Sequence, residues 1–288
     1  MTQFISHPAF VTASGKSVRR LGQGTWHLAE RGNRKSEIAT LRRGIELGLN
    51  LIDTAEMYAS GGSESLIGEA IENEKREDLF LVSKCYPQNV GRSAIFKACD
   101  ASLSRLGVDY LDLYLLHWRG RVPLAETAQC MEELIAQGKI RRWGVSNLDI
   151  DDMHELVSVP HGKNCVTDQV LYHVACRGPE FDLFPFLKQN GMTAMAYCPL
   201  AQFGALDRDV VRSRTLKAIA EKHGASLAQV MLAFILRNEN LIPIPKSSTP
   251  THVEDNVKAL TLTLDADDLA GIEHEFPAPR HAVPLEIN

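Results

Sequence analysis

Several short apolar runs in this 288-residue chain end in side chains that can carry charge or move protons. Leu51-Ile52 leads to the carboxylate of Asp53, Leu81-Val82-Ser83 to the amine of Lys84, and Tyr114-Leu115-Leu116 to the imidazole of His117. Gly144-Val145 leads to Ser146 and Asn147, Val166-Thr167 to Asp168 and Gln169, Met195-Ala196 to Tyr197, and Ile244-Pro245 to Lys246. Any one of these could simply open a loop. Asp53 and Lys84 are harder to dismiss, because a charge that follows apolar residues should be partly buried, and buried charges are seldom left unpaired. They end neighbouring runs, so an ion pair between them is the economical arrangement. Asp112 is a rival partner for Lys84; mid-run, it could instead face a helix or fill an interior. An acid, a base and an imidazole at one rim would be equipment for proton transfer.

Bringing these groups together requires a scaffold that ends many strands at one place. The β-like runs are Leu21–Gly24, Leu49–Asp53, Leu79–Lys84, Leu111–His117, Ile140–Val145, Cys165–Gln169, Met192–Tyr197 and Leu241–Pro245. They are mostly apolar without clean alternation, as expected of parallel strands covered on both faces. Helical spacing lies between them: Ile38, Leu41 and Ile45; Ile95, Cys99, Leu103 and Leu106; Leu124, Ala128, Met131 and Ile135. Glu64–Glu74, with Ser63 as its expected N-cap, Leu216–His223 and Leu227–Arg237 also read as helices. Strict alternation of strand and helix predicts an α/β protein with a parallel sheet, and eight repeats predict a closed (β/α)8 TIM barrel. In such barrels the active site lies at the C-terminal mouth of the strands, where these polar residues fall. Phe10–Arg20, with Gly15 at its turn, reads as an N-terminal β-hairpin. Asp265–Phe276 reads as an extra C-terminal helix, and the proline-bearing tail from Pro277 as a loop. No linker divides the sequence, so residues 1–288 are expected to form a single domain.

Composition narrows the partners. Apolar residues make up 44% of the chain, enough for a large core, and the formal net charge is −5. No basic block stands out beyond short pairs such as Arg19-Arg20 and Arg141-Arg142, which does not suit a nucleic-acid partner. Six cysteines without a C-x-x-C pair suggest reduced thiols and a cytoplasmic setting. The first ten residues lack a signal-peptide pattern and no apolar run is long enough to span a bilayer, so neither secretion nor a membrane partner is expected. The ten histidines are scattered, which argues against a metal-dependent barrel hydrolase, and no metal is expected. The oligomeric state stays open, with a monomer compatible with everything above.

From Leu21-Gly-Gln-Gly-Thr-Trp26 to Asn256, the sequence resembles the aldo-keto reductase family. The stretches that carry the resemblance are Leu51-Ile-Asp53-Thr-Ala-Glu-Met-Tyr58, Leu81-Val-Ser-Lys84, Asp109-Tyr-Leu-Asp-Leu-Tyr-Leu-Leu-His117-Trp118, Gly138-Lys-Ile-Arg-Arg-Trp-Gly-Val-Ser-Asn147 and Ile244-Pro-Lys246-Ser. It is most similar to small bacterial members described as methylglyoxal reductase-like. The resemblance implies NADPH-dependent reduction of aldehydes and ketones, with NADH as the alternative cofactor, by a tetrad of Asp53, Tyr58, Lys84 and His117. The chemistry of those residue types agrees. A carbonyl that receives hydride builds negative charge on oxygen and needs a proton there. A phenol titrates near 10, and burial pushes it higher, so a nearby cation is needed to favour its ionised form. Lys84 could be that cation, held by Asp53, while His117 orients the substrate oxygen.

The same resemblance implies nicotinamide contacts at Ser146, Asn147 and Gln169, ring stacking by Tyr197, and backbone passing the pyrophosphate at Pro199 and Leu200. It also implies cofactor contacts at Thr25 and Trp26, a 2′-phosphate pocket at Lys246, Ser247, Ser248, Thr249 and His252, and an adenine contact at Asn256. Trp26, His27 and Trp118 are implied to surround the substrate. His252 stands where many relatives have Arg, which weakens the expected preference for NADPH. Cys198 and Asp168 replace a common Ser and a common Asn. Because the tail after Phe276 is short, loose cover of the site and broad acceptance of aldehydes, small α-oxoaldehydes included, are expected. An alternative class is a cofactor-binding regulatory module that turns over slowly.

Overall fold

In the computed structural model, which describes residues 3–201 and 207–287, the strands follow one another in space as they do in sequence. They are β1 (Gln23–Gly24), β2 (Leu51–Asp53), β3 (Phe80–Cys85), β4 (Leu113–Leu116), β5 (Trp143–Ser146), β6 (Thr167–Leu171), β7 (Thr193–Tyr197) and β8 (Leu241–Pro243). Each is parallel to its successor. The helices are α1 (Arg34–Glu46), α2 (Gly62–Ile71), α3 (Ile95–Leu106), α4 (Leu124–Ala136), α5 (Ile150–Ser158), α6 (Leu183–Gln189), α7 (Asp207–Arg212), α8 (Arg214–Lys222), α9 (Leu227–Leu236), α10 (Pro250–Val257) and α11 (Ala266–Glu275). The ring closes where Gly22 N–H donates to Pro243 O at 3.0 Å and Gly24 N–H to Pro245 O at 3.1 Å. A Cβ on Gly24 would lie only 2.5 Å from the Ile244 carbonyl oxygen, so the seam needs glycine there. This is the expected (β/α)8 barrel.

Side chains alternate between two environments along every strand. Leu51, Phe80, Val82, Leu113, Leu115, Met195, Ile242 and Ile244 fill the interior. Ile52, Leu81, Tyr114, Leu116, Val145, Val170, Ala194 and Ala196 pack outward among the helices. Both faces are apolar, which hides the period of two in the sequence.

The N-terminal segment forms a turn rather than a full hairpin ladder. Two isolated antiparallel bridges, Val11 with Ser17 and Phe4 with Arg19, flank Gly15, whose φ is 83°. The turn inserts Phe10 and Val18 into the interior cluster, where the Phe10 ring stacks on Phe80 at 5.3 Å. At the other end, α11 is the expected extra helix. Asp265 caps it in a reciprocal box with Asp268.

Two local expectations are corrected. Ser63 does not cap α2: it lies inside the helix and its hydroxyl donates to Leu28 O at 2.8 Å, while Gly61 takes the cap position. Asp112 is not a partner of Lys84. It precedes the inward-facing Leu113, so it points outward and binds Arg76 at 2.6 Å and the Leu81 N–H at 3.0 Å.

Phe10→Ala would leave a void beside Phe80. The expected cost is about 3–5 kcal/mol of unfolding free energy, read by urea titration. A loss under about 1 kcal/mol would show that the plug is not part of the core.

Candidate active site

Asp53, Lys84 and His117 occupy inward positions at the ends of β2, β3 and β4, and Tyr58 follows β2 in a tight turn. Lys84 is fully buried. Its Nζ donates to Asp53 Oδ2 at 2.7 Å, to the Thr54 carbonyl at 2.9 Å and to the Tyr58 hydroxyl at 3.1 Å. Three acceptors match the three N–H groups of an ammonium. The other oxygen of Asp53 accepts from Gln169 Nε2 at 2.8 Å, which fixes the carboxylate from across the barrel. The Tyr58 and His117 rings meet edge to face at 5.8 Å. The structure thus brings all four residues together.

Burial dominates the electrostatics here. It lowers the Lys84 amine from its ordinary value, and the Asp53 carboxylate and then the more distant Glu64 oppose it. It raises the Tyr58 phenol well above 10, helped by the Asp53 charge, so the resting phenol keeps its proton. Burial first, then the Lys84 charge, depresses His117 to about 2, so this imidazole is neutral at physiological pH. Its Nδ1 is buried without a hydrogen-bond partner among the described residues.

These groups open into a cavity of about 840 Å³ that extends from Trp118 and Arg119 on one side to Ile244 and Lys246 on the other. The sequence model of the Aldo/keto reductase family matches residues 20–274. The chain belongs to the aldo/keto reductase family. It is 50% identical to methylglyoxal reductase YeaE of Escherichia coli, over 94% of this chain and 95% of that protein. It is 31% identical to the NADH-specific methylglyoxal reductase of the same species, over 87% and 93%. The crystal structure of an aldo/keto reductase from Klebsiella pneumoniae in complex with NADP and acetate superposes with a TM-score of 0.95, at 43% identity and with both chains fully covered.

The remaining expected residues of this aldo/keto reductase fall in three groups. Thr25, Trp26, His27, Trp118, Ser146, Asn147, Gln169, Tyr197 and Lys246 line the cavity. Asn147 sits in a left-handed turn (φ 57°) with its amide engaged on both sides. Nδ2 donates to His117 O and Ser146 Oγ, and Oδ1 receives the Tyr197 hydroxyl at 2.9 Å. Pro199 and Leu200 form the turn beyond Tyr197, just before a segment outside the described residues. Ser247, Ser248 and Thr249 lead into α10, where Asn256 Nδ2 donates to Ser247 Oγ at 3.2 Å and His252 is exposed. Asp168 points outward from β6 and is fully buried; burial pushes its carboxyl far above the ordinary range.

Sequence reasoning missed part of the wall. Met57, Arg119, Asp149 and Asp152 line the cavity, as do Pro284, Leu285 and Ile287 from the tail. The tail thus joins the wall, but its cover is partial, since Pro284 is exposed and Ile287 is 56% exposed. Arg177 holds the start of the tail, with Nη1 donating to Phe276 O at 2.6 Å and to Glu273 at 2.7 Å. The short tail then runs back over the mouth. Nothing in its composition marks this return, although an apolar Pro-Leu pair in an otherwise exposed tail was a usable hint. Away from the cavity, His223, Asp265 and Asp268 converge, but Lys222 Nζ already bridges the two carboxylates at 2.6 and 2.8 Å.

A histidine depressed from 6.5 to about 2 binds a proton in the unfolded chain but not in the folded one between those pH values. Its contribution to stability is therefore present above 6.5 and is lost as pH falls toward 2. The His117 ring resonances should stay unshifted in an NMR titration down to about pH 4, where an ordinary histidine has titrated. A midpoint near the ordinary value would overturn the neutral assignment.

Proposed function

We propose that this reductase uses NADPH to reduce small aldehydes and ketones, α-oxoaldehydes such as methylglyoxal among them, with Tyr58 as the proton donor. The observation that carries the reading is the 3.1 Å hydrogen bond from Lys84 to the Tyr58 hydroxyl, with Asp53 holding the same ammonium. Kinship with a methylglyoxal reductase and with an NADP-bound enzyme supports the substrate and cofactor classes. The proposed setting is the cytoplasm, with all of residues 1–288 acting as one barrel domain and with no nucleic-acid or membrane partner. No helix among the described residues is long and apolar enough to cross a membrane.

The residues present fit a nicotinamide dinucleotide. The cavity volume falls within the roughly 300–1,000 Å³ usual for small-molecule and cofactor sites. Amide and hydroxyl groups of Gln169, Asn147 and Ser146 lie on one wall, where they would hold the nicotinamide carboxamide, with Thr25 and Trp26 nearby and Tyr197 against the ring. Asn147 would have to exchange one of its internal partners. Pro199 and Leu200 would flank the pyrophosphate, and Asn256 the adenine. Lys246 beside the N-terminus of α10, with Ser247, Ser248, Thr249 and His252, suits a 2′-phosphate, because helix-terminal N–H groups and a cation both favour a dianion. When bound, the cofactor supplies the hydride.

The chain's own groups then deal with the oxygen. Trp26, His27, Trp118 and the tail form walls that suit small, largely apolar substrates. His117, neutral, can donate one hydrogen bond to the carbonyl oxygen without adding charge. Tyr58 gives its proton to that oxygen as negative charge develops there. The Lys84 ammonium strengthens its hydrogen bond to the phenolate that remains, so its stabilisation grows along the reaction path. Asp53 and Gln169 keep the ammonium aimed and charged.

Tyr58→Phe should lower kcat for methylglyoxal by about 10²–10⁴ while the NADPH Kd stays close to wild type. Lys84→Met should lower kcat comparably. Near-normal turnover by Tyr58→Phe would end the proton-donor assignment. Lys246→Ala should weaken NADPH by on the order of tenfold or more and NADH much less. Equal losses for the two cofactors, measured by fluorescence quenching, would remove Lys246 from the 2′-phosphate site.

A further inference from the structure

Behind the tetrad lies a second buried ion pair that the chemistry above does not use. Glu64, in the first turn of α2, is fully buried. Its Oε2 accepts from Arg105 Nε at 2.6 Å, and its Oε1 accepts from Ser83 Oγ at 2.6 Å. Ser83 precedes Lys84 in β3, so it points outward while Lys84 points inward. One carboxylate is thereby fastened to the outer side of the strand that carries the ammonium.

Arg105 reaches the tyrosine side as well. Immediately after Tyr58, three successive residues are left-handed: Ala59 (φ 49°), Ser60 (φ 53°) and Gly61 (φ 89°). Ala59 and Ser60 are strained in this conformation, which persists only where surrounding structure holds it. The Arg105 side chain lies flat against Gly61. A Cβ there would meet Arg105 Cδ at 2.6 Å and Nε at 2.7 Å. Gly68 backs onto the same place, with its would-be Cβ 3.0 Å from Arg105 O. The Glu64–Arg105 pair therefore touches both the strained turn that ends in α2 and the strand that ends in Lys84.

We propose that the Glu64–Arg105 pair is a positioning device that holds the Tyr58 hydroxyl and the Lys84 ammonium in register from outside the barrel. The proposal rests on the reading of Tyr58 as proton donor. Neither residue lines the cavity. Glu64 also contributes charge: after Asp53, it is the carboxylate that most favours the ammonium form of Lys84. The other titratable groups facing Lys84 and Tyr58 are each other, Asp53 from β2, His117 from β4 and Cys198 after β7.

Glu64→Gln keeps the shape and an acceptor for Ser83 but removes the charge and the ion pair. Its kcat for methylglyoxal should fall on the order of tenfold to a hundredfold, the scale of a misplaced catalytic group. The NADPH Kd should stay near wild type. The alkaline limb of the kcat–pH profile should move to lower pH, because loss of the Glu64 charge makes the Lys84 ammonium easier to deprotonate. Arg105→Met should lower kcat without that loss of negative charge, and Arg105→Lys should recover part of it. Ser83→Ala serves if Glu64→Gln does not fold: it releases the other tie, from the carboxylate to β3, while keeping the ion pair, and should lower kcat in the same direction. Unchanged kcat and an unmoved alkaline limb would overturn the proposal, as would losses that follow NADPH Kd alone. Tyr58→Phe measured in parallel separates the two readings. If it is inactive and Glu64→Gln behaves as wild type, only the positioning role fails; if Tyr58→Phe is active, the proton-donor reading fails with it.

Discussion

A fully buried ammonium is stable only when each of its protons has an acceptor and a negative charge lies close. Lys84 meets both conditions, and the rest of the mouth is arranged around how it does so. Asp53 supplies the charge and Thr54 a carbonyl. The phenol of Tyr58 takes the third position. Removing any one of these would leave an ammonium proton without its acceptor, so the group proposed to serve the chemistry is also one the fold must satisfy. The same charge, together with burial, keeps His117 neutral, and Asp53 with burial keeps Tyr58 protonated.

The barrel delivers these groups through its period of two. Phe80, Val82 and Lys84 share one face of β3, as Leu113 and Leu115 share one face of β4 with His117 continuing it. Apolar side chains fill the lower interior, and the next inward position on β2, β3 and β4 is polar, at Asp53, Lys84 and His117. The outward positions at the same level do a different job. Ser83 ties to Glu64, while Asp168, one residue before the inward-facing Gln169, is buried behind the sheet. A shift of one residue in register would exchange the two sets.

Backbone strain collects at the mouth. Left-handed non-glycine residues follow β1 at His27 and Ala29, β2 at Ala59 and Ser60, β5 at Asn147 and β7 at Cys198 and Ala201. Such conformations are costly and survive where neighbours fix them, which is the setting in which a site can be held ready before its ligands arrive. Asn147 illustrates this, with its amide fastened to Tyr197, His117 and Ser146 from a strained turn.

The sequence by itself pointed to the order of strands and helices, the closed barrel and Asp53, Lys84 and His117 at its rim, while Tyr58 came from the family resemblance. Eight apolar runs separated by helical periods permit few topologies, and a charge at the end of an apolar run marks a buried, paired position. It left Asp112 and Asp53 as rival partners for Lys84, because two apolar faces conceal which residues point inward. Ser63 looked like a cap because the turn before it could not be read, and its hydroxyl found a better acceptor in Leu28. The tail reads as a loop and is one, yet its sequence does not say that Pro284, Leu285 and Ile287 reach the cavity wall. The packing of Arg105 against Gly61 and the link from Gln169 to Asp53 join residues 44 and 116 positions apart. Local periodicity reports which face of an element is apolar, whereas such long-range partners are chosen only when the ring closes and each buried polar atom must find an acceptor or donor among the neighbours it then has.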